Sequence, residues 1–120
     1  MILTRLESWA MPGIPDLMIC DGAGKFHMIE LKVTQNHAVE LRPHQVAFLS
    51  KHQHAPVWVL VYREGKGDEP SRVYLYPGAD AVDLRMYGLD KVEPVALETA
   101  PVQWENIFRL IFGEHMGNVA

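Results

Sequence analysis

Cysteine is nearly absent from this 120-residue chain, as are long apolar runs and any excess of positive charge. The single cysteine, Cys20, has no partner for an intrachain disulfide, which excludes a disulfide-stapled fold. No stretch approaches the roughly 18 consecutive apolar residues that a membrane-spanning helix needs, so no membrane partner is expected. The N-terminus lacks the basic and apolar stretches of a secretory signal, and we therefore expect a cytoplasmic protein.

Positive charge is scarce, with 11 Lys and Arg against 15 Asp and Glu and a formal net charge of -4. This balance counts against nucleic-acid binding, because contacts with phosphate usually need a basic surface. Residues 1–54 hold five charges of each sign, so the deficit belongs to residues 55–120. Cations bound by acids of the first half would also offset the charge of those acids. Arg42, Lys51 and Arg63 are candidates to line a groove for the phosphate backbone.

The composition is that of an ordinary globular domain, with 48% hydrophobic and 22% charged residues. The length suits a single domain over residues 1–120, and its core would be modest, so association into a homodimer is expected. A β-hairpin, a helix, two strands and a closing helix follow one another along the chain. This order predicts an α/β fold with a mixed β-sheet of about four strands flanked by helices.

The bounds of these elements follow from turn and helix-start signals. Pro43 and an apolar stripe predict a helix from Arg42 to about His54, and a helix of about 12 residues begins near Pro101. Residues 1–15 are expected to be irregular, and a short helix is expected between Asp80 and Pro94. The predicted strands are residues 16–20, 26–33, 57–62 and 72–76.

The predicted hairpin brings two carboxylates together. If its turn occupies residues 21–25, antiparallel pairing puts Asp16 opposite Glu30, and period-two alternation puts Lys32 on the same face as Glu30. Directly opposed side chains have Cβ atoms roughly 4.5–5.5 Å apart. Two carboxylates at that separation repel each other and are costly to desolvate. Either a bridging divalent cation or a shared proton must therefore stabilise the pair.

Oxygen ligands favour Mg²⁺ or Mn²⁺ over zinc. Such an ion lowers the pKa of a bound water and polarises a phosphodiester, and the ammonium group of Lys32 can stabilise developing charge. The residue types and spacing thus match phosphodiester hydrolysis. The alternative is an exposed strand face on which Glu30 and Lys32 form a solvated ion pair, and the residues alone leave both readings open.

Three strings of the sequence resemble a known nuclease signature: residues 12–17 (PGIPDL), 29–33 (IELKV) and 41–45 (LRPHQ). Together they resemble the PD-(D/E)xK nucleases, and among these the virus-type replication-repair nucleases and their Holliday junction resolvase relatives, especially short phage-encoded members. The similarity covers residues 4–62. It implies a restriction-endonuclease-like core and a metal-dependent DNA endonuclease acting on branched or junction DNA.

The resemblance also implies a role for individual residues. It makes Asp16 and Glu30 ligands of Mg²⁺ or Mn²⁺, helped by the backbone carbonyl of Leu31. It puts Lys32 near the attacking water and Gln45, on the following helix, facing the site.

Such nucleases often have a further acid on an N-terminal helix, and Glu7 is the one acid that precedes Asp16 here. Too few residues precede Glu7 to form that helix, so the metal-ligand set stays open. A non-catalytic DNA-binding or assembly module that keeps the nuclease fold is the alternative function, and an enzyme acting on RNA or single strands is a third. A resolvase would need a homodimer for two symmetric cuts, and the apolar stripe over residues 104–112 could close one.

Overall fold

The computed structural model describes residues 2–5 and 13–113. Within these ranges the chain forms one mixed sheet with helices packed against it. The strands are β1 (Ile2–Arg5), β2 (Leu17–Cys20), β3 (Phe26–Thr34), β4 (Val57–Arg63), β5 (Arg72–Pro77) and β6 (Ala96–Thr99). The helices are α1 (Pro43–Lys51), α2 (Ala81–Tyr87) and α3 (Trp104–Phe112), and a short 3₁₀ turn at Gly78–Asp80 precedes α2.

The six strands of the sheet lie in chain order, so every strand is beside its sequence neighbour. All neighbouring strands are antiparallel except β3 and β4, which are parallel. Parallel neighbours need a crossover connection, and α1 provides it. The predicted α/β class with a mixed sheet is confirmed. The predicted count of about four strands is wrong, because β1 and β6 add a four-residue strand at each edge.

Helices cover both faces of the sheet, which gives two cores. One core contains Leu49 of α1 and Leu84 of α2, both fully buried. The other contains Ile107 of α3 packed with Ile29 of β3. Side chains along a strand point alternately to the two faces. Neighbouring residues of β3 therefore enter different environments, and this separates the sites described below.

The register of the β2–β3 hairpin is the predicted one. Met18 lies opposite Met28, and Cys20 lies opposite Phe26. The turn occupies residues 21–25 and is closed by a 2.9 Å hydrogen bond from the backbone N–H of Asp21 to the Lys25 carbonyl. Continuing this register by one position from the Leu17–Ile29 pair puts Asp16 beside Glu30.

Several element ends differ from the sequence-based expectations. Residues 2–5 form a strand where an irregular segment was predicted. Helix α1 ends at Lys51 rather than His54, because the chain turns through residues 52–55 ahead of Pro56. Helix α3 begins at Trp104 and has nine residues. The short helix expected between Asp80 and Pro94 is α2. None of the helices in the described ranges is long and apolar enough to cross a membrane.

Candidate active site

Asp16 and Glu30 lie together at the open end of the hairpin. Asp16 directly precedes β2, and its Oδ2 accepts a 2.9 Å hydrogen bond from the backbone N–H of Leu31. This bond continues the β2–β3 ladder beyond Leu17, with a side-chain oxygen as the acceptor. The Asp16 carboxylate is therefore fixed in place by the strand next to it.

Glu30 lies in the middle of β3 and is only 2% exposed. Its Oε2 accepts a 3.2 Å hydrogen bond from Nε2 of Gln45, and Nζ of Lys32 lies 3.8 Å from the same oxygen. The other oxygen, Oε1, is buried and receives no hydrogen bond from any described residue. Buried polar atoms nearly always have a partner, so this oxygen marks a position where one is missing.

The protonation of Glu30 reflects its surroundings. Burial, and after it the neighbouring carboxyl of Asp16, raise the pKa of Glu30 to about 8 against the opposing charge of Lys32. With no cation bound, the pair holds a proton at neutral pH. The surroundings of Glu30 thus favour either a proton or a cation between the two carboxylates, the two alternatives that the sequence left open.

Gln45 connects α1 to this carboxylate pair. Besides donating to Glu30, it accepts at Oε1 two 2.9 Å hydrogen bonds, from Nζ of Lys32 and from the backbone N–H of Arg42. Both of those groups can only donate, so the orientation of the Gln45 amide is determined. The backbone bond caps the first turn of α1. One side chain therefore fixes the start of the helix and the position of the lysine.

The loop that carries Asp16 packs against the same end of α1. Gly13 has a φ of 89°, and a Cβ there would lie 2.3 Å from the carbonyl oxygen of His44. A residue with a side chain is excluded by both the conformation and the contact. Pro15 is buried directly before Asp16. This close approach brings the loop and α1 to the same part of β3.

The structure thus brings together four of the residues predicted for the site, Asp16, Glu30, Lys32 and Gln45. Lys32 shares a face of β3 with Glu30, as the alternation predicted, and its side chain is 18% exposed. It is held by Gln45 at 2.9 Å rather than by Glu30. The ammonium group therefore lies within ion-pair distance of Glu30 but makes its shorter contact with Gln45.

The structure says less about the other two predicted metal ligands, Glu7 and Leu31. Glu7 lies outside the described residues. Leu31 joins the site through its backbone N–H, and the role predicted for its carbonyl as a metal ligand stays a prediction. Over residues 2–5 and 13–113, no group of three or more His, Cys, Asp and Glu residues is arranged to hold a metal ion.

The residues that are present fit a hard divalent cation. Two carboxylates supply oxygen donors, which Mg²⁺ prefers, and Mg²⁺ commonly binds through one or two carboxylates while keeping several waters. The buried Oε1 of Glu30 would gain in such an ion the partner that the described residues do not give it. The donor set is thus sufficient for Mg²⁺ or Mn²⁺ without a third carboxylate.

A groove of about 430 Å³ opens beside the N-terminus of α1, lined by residues 38–43 and by Arg85 of α2. Arg42, a predicted groove residue, lies in it.

The other two predicted groove residues lie elsewhere. Lys51 is at the opposite end of α1, and Arg63 is 8% exposed with its Nη1 2.5 Å from Oε1 of Glu69. The prediction that Arg63 lines a groove for phosphate is therefore wrong. Arg85 was missed, because residues 80–94 gave too weak a helical pattern to place it.

Comparison of the chain with protein-family models, curated proteins and solved structures finds no match.

Proposed function

We propose that this chain is a Mg²⁺- or Mn²⁺-dependent DNA endonuclease with a restriction-endonuclease-like core, whose active site contains Asp16, Glu30, Lys32 and Gln45. One observation carries the proposal. Glu30 is 2% exposed, shares a proton with the carboxyl of Asp16 in the metal-free protein, and has a buried oxygen, Oε1, to which no other described group donates. Such a like-charge arrangement costs stability in the metal-free protein, and clusters of this kind are typical of functional sites.

The carboxylates and the lysine have separate tasks in this proposal. Asp16 and Glu30 would hold the cation, which when bound supplies Lewis acidity towards a phosphodiester and lowers the pKa of a water. Glu30 must release its proton for this, because its pKa lies near 8 in the metal-free pair. Lys32 would stabilise negative charge on the phosphate undergoing attack.

Gln45 makes the lysine available for this task. Its Oε1 keeps Nζ of Lys32 at 2.9 Å, and the ammonium group remains 3.8 Å from the nearest oxygen of Glu30. Without this hydrogen bond, Lys32 would be free to close onto the carboxylate, and its ammonium group would be less available to a phosphate. Gln45 is thus a positioning residue for Lys32 and for Glu30.

Arg42 and Arg85 support DNA as the substrate despite the net charge of -4. Both line the groove beside α1, and Arg42 also contacts Gln45 through its backbone. Arginine binds phosphate oxygens well, and the two arginines outnumber the acidic Glu40 in the lining, so this groove suits a phosphate backbone. Branched or junction DNA is the substrate that the sequence resemblance favours.

The proposed homodimer, which junction cleavage would require, has a candidate surface on α3. Ile107 and Ile111 are buried in the core, whereas Trp104 and Leu110 are 45% and 44% exposed. Part of the predicted apolar stripe therefore remains on the surface.

The decisive experiment is cleavage of a labelled panel (four-way junction, flap, duplex and single strand) with Mg²⁺, Mn²⁺ or EDTA. We expect metal-dependent cutting by the wild type, and a loss of about a thousandfold or more in Glu30→Gln and Asp16→Ala. Glu93→Gln, which removes an exposed acid, is the matched control and should cut normally. Wild-type rates in Glu30→Gln, or no cutting by pure wild type in either metal, would contradict the proposal.

A non-catalytic DNA-binding or assembly module is the second candidate, and it is favoured by the small number of acids that the described residues bring to the site. Binding in Ca²⁺, followed by transfer into Mg²⁺, distinguishes the two. Both candidates bind DNA in Ca²⁺, but only the nuclease cuts it after the transfer.

A further inference from the structure

A second candidate site lies on the other face of the sheet. A cleft of about 670 Å³ opens near the C-terminal end of α3, a volume within the usual range for small-molecule sites. Its walls come from the hairpin turn, β3, β4, the segment before β4 and the last turn of α3. The lining residues are Lys25, His27, His54–Pro56, Trp58 and Leu110–Gly113.

His27 is the most deeply buried polar residue of this cleft, at 1% exposure. Its Nε2 lies 2.9 Å from Oδ2 of Asp21, and the edge of its ring packs against Phe112 with centroids 5.3 Å apart. A carboxylate can only accept, so Nε2 carries the proton and Nδ1 of the neutral ring is an acceptor. Nδ1 is buried and finds no partner in residues 2–5 or 13–113.

Trp58 is diagonally adjacent to His27, because it pairs with Ile29 on the neighbouring strand. The indole Nε1 of Trp58 is buried and likewise has no hydrogen-bond partner among the described residues. Indole N–H groups can only donate, and buried ones usually have an acceptor. One cleft is thus lined by two side chains that each lack a partner, one an acceptor and one a donor.

The exposed rim of the cleft adds positive charge. Lys25 contributes an ammonium group, and His54 contributes an imidazole. The Asp21 carboxylate, which contacts His27, is already engaged. Its two oxygens accept hydrogen bonds from His27 and from the backbone N–H groups of Ala23 and Lys25. The remaining walls, including Pro56, Leu110 and Phe112, are apolar.

We propose that this cleft binds a nucleoside monophosphate. The phosphate would bind Lys25 at the rim. A shift of the Trp58 and His27 side chains, whose Nε1 and Nδ1 are buried in the ligand-free cleft, would let the indole donate to the phosphate and Nδ1 accept from a hydroxyl or amino group of the nucleoside. The apolar wall at Leu110 and Phe112 would take the planar base. A free mononucleotide and the phosphorylated end of a DNA strand share this chemistry. The site is independent of the proposed nuclease, because its residues point to the opposite face of the sheet.

Nuclear magnetic resonance of the full ¹⁵N-labelled chain in EDTA tests the proposal directly. The indole N–H signal of Trp58, assigned by Trp58→Phe, should shift on titration with dAMP, while the signal of Trp104 should not. We expect dAMP to bind at least about tenfold more tightly than inorganic phosphate or deoxyadenosine. No shift up to about 10 mM dAMP, or equal affinity for inorganic phosphate, would overturn the proposal.

Variants of the rim make the test specific without disturbing the core. Lys25→Ala should weaken dAMP binding about tenfold, because a charge-assisted hydrogen bond is lost. Lys66→Ala, which removes an exposed lysine from a distant loop, is the control. Equal affinities in these two variants would overturn the proposal. Glu30→Gln should bind dAMP normally, which separates this site from the carboxylate pair.

Two further titrations identify the source of the ligand. A 5′-phosphorylated oligonucleotide and its 5′-hydroxyl counterpart are compared with dAMP. A shift with the phosphorylated strand alone assigns the cleft to DNA ends, and a shift with dAMP alone assigns it to free nucleotides. The same response to both oligonucleotides would overturn phosphate recognition.

Discussion

Strand β3 carries two buried ionisable side chains, His27 and Glu30. The neighbour of His27 complements its hydrogen-bonding group, whereas the neighbour of Glu30 is a second acid. The two side chains are 1% and 2% exposed and lie on opposite faces of the sheet. Each is next to an aspartate of the hairpin. Asp21, in the turn, complements His27 with a 2.9 Å hydrogen bond, whereas Asp16, at the open end, places a second acid beside Glu30. The charge of the neighbour, and not the degree of burial, distinguishes the pair that stabilises itself from the pair that needs a shared proton or, in our proposal, a cation.

The largest expected effect is a difference in pH dependence between these two pairs. The pKa of Glu30 is raised from 4.5 to about 8, so between these pH values the folded chain holds a proton that the unfolded chain releases. The free energy of unfolding of the metal-free protein should therefore fall as pH rises through this window, by on the order of 2–4 kcal/mol. Urea titrations at several pH values measure the fall.

Glu30→Gln should remove this decline, and Glu93→Gln should keep it. The hydrogen bond with His27 lowers the pKa of Asp21 below 3.8, so the stability that Asp21 contributes is present above that pH and is lost as the pH falls below it. Mg²⁺ at pH 8 should restore the stability of the wild type and leave Glu30→Gln unchanged. If the free energy of unfolding depended on pH in the same way in the wild type and in Glu30→Gln, Glu30 would not be the cause, and the contrast between the two pairs would be wrong.

The loops that carry the two aspartates should respond differently to an added methyl group. Gly13→Ala forces a side chain into a φ of 89° and against the backbone of His44. We expect a loss of about 3 kcal/mol in stability and a lower affinity for Mg²⁺. Gly22→Ala, in the turn beside Asp21, meets nothing within 4 Å and should be tolerated. Thermal melts and Mg²⁺ titrations of both variants measure the difference.

His27→Gln tests whether the Asp21 pair is stabilising. It should cost about 2 kcal/mol, because a buried charge-assisted hydrogen bond is lost. Glu30→Gln, three residues further on, should cost nothing in the metal-free protein above neutral pH. A double-mutant cycle with Asp21→Asn gives the coupling energy of the histidine pair. A coupling energy of zero would show that the pairing with Asp21 does not stabilise the fold.

Gln45→Ala has the smallest expected effect on stability, about 1 kcal/mol, since it removes the hydrogen bond to the first turn of α1. Its effect on cleavage should be larger, about a hundredfold, because Lys32 is no longer held in position. Gln53→Ala, an exposed glutamine just after α1, is the control. A normal cleavage rate in Gln45→Ala would show that Lys32 needs no positioning.

The hairpin and its carboxylate pair could be predicted because they depend on local rules. Turn chemistry at residues 21–25 sets the register, and the register then determines that Asp16 lies beside Glu30. The His27–Asp21 pair follows from the same turn and register. It was missed because a single histidine within an apolar strand has no neighbour in sequence that indicates a partner for it. The contacts of Gln45 depend on how α1 packs against β3, which sequence periodicity does not specify.

The two edge strands were missed for a different reason. Edge strands are half exposed and short, so their alternation is weak. In β6 the burial alternates over only four residues, too few to separate a strand from a loop. The sheet is therefore wider than its sequence pattern suggests.

The hydrogen bond from Leu31 to Asp16 has a practical consequence for trapping a substrate complex. The interaction needs an oxygen acceptor but not a negative charge, so the amide of Asp16→Asn could retain it. That variant would keep the strand end intact while weakening the hold on a cation. It is therefore the substitution we would choose for determining a structure with the DNA substrate that we propose, with the strand still whole across the site.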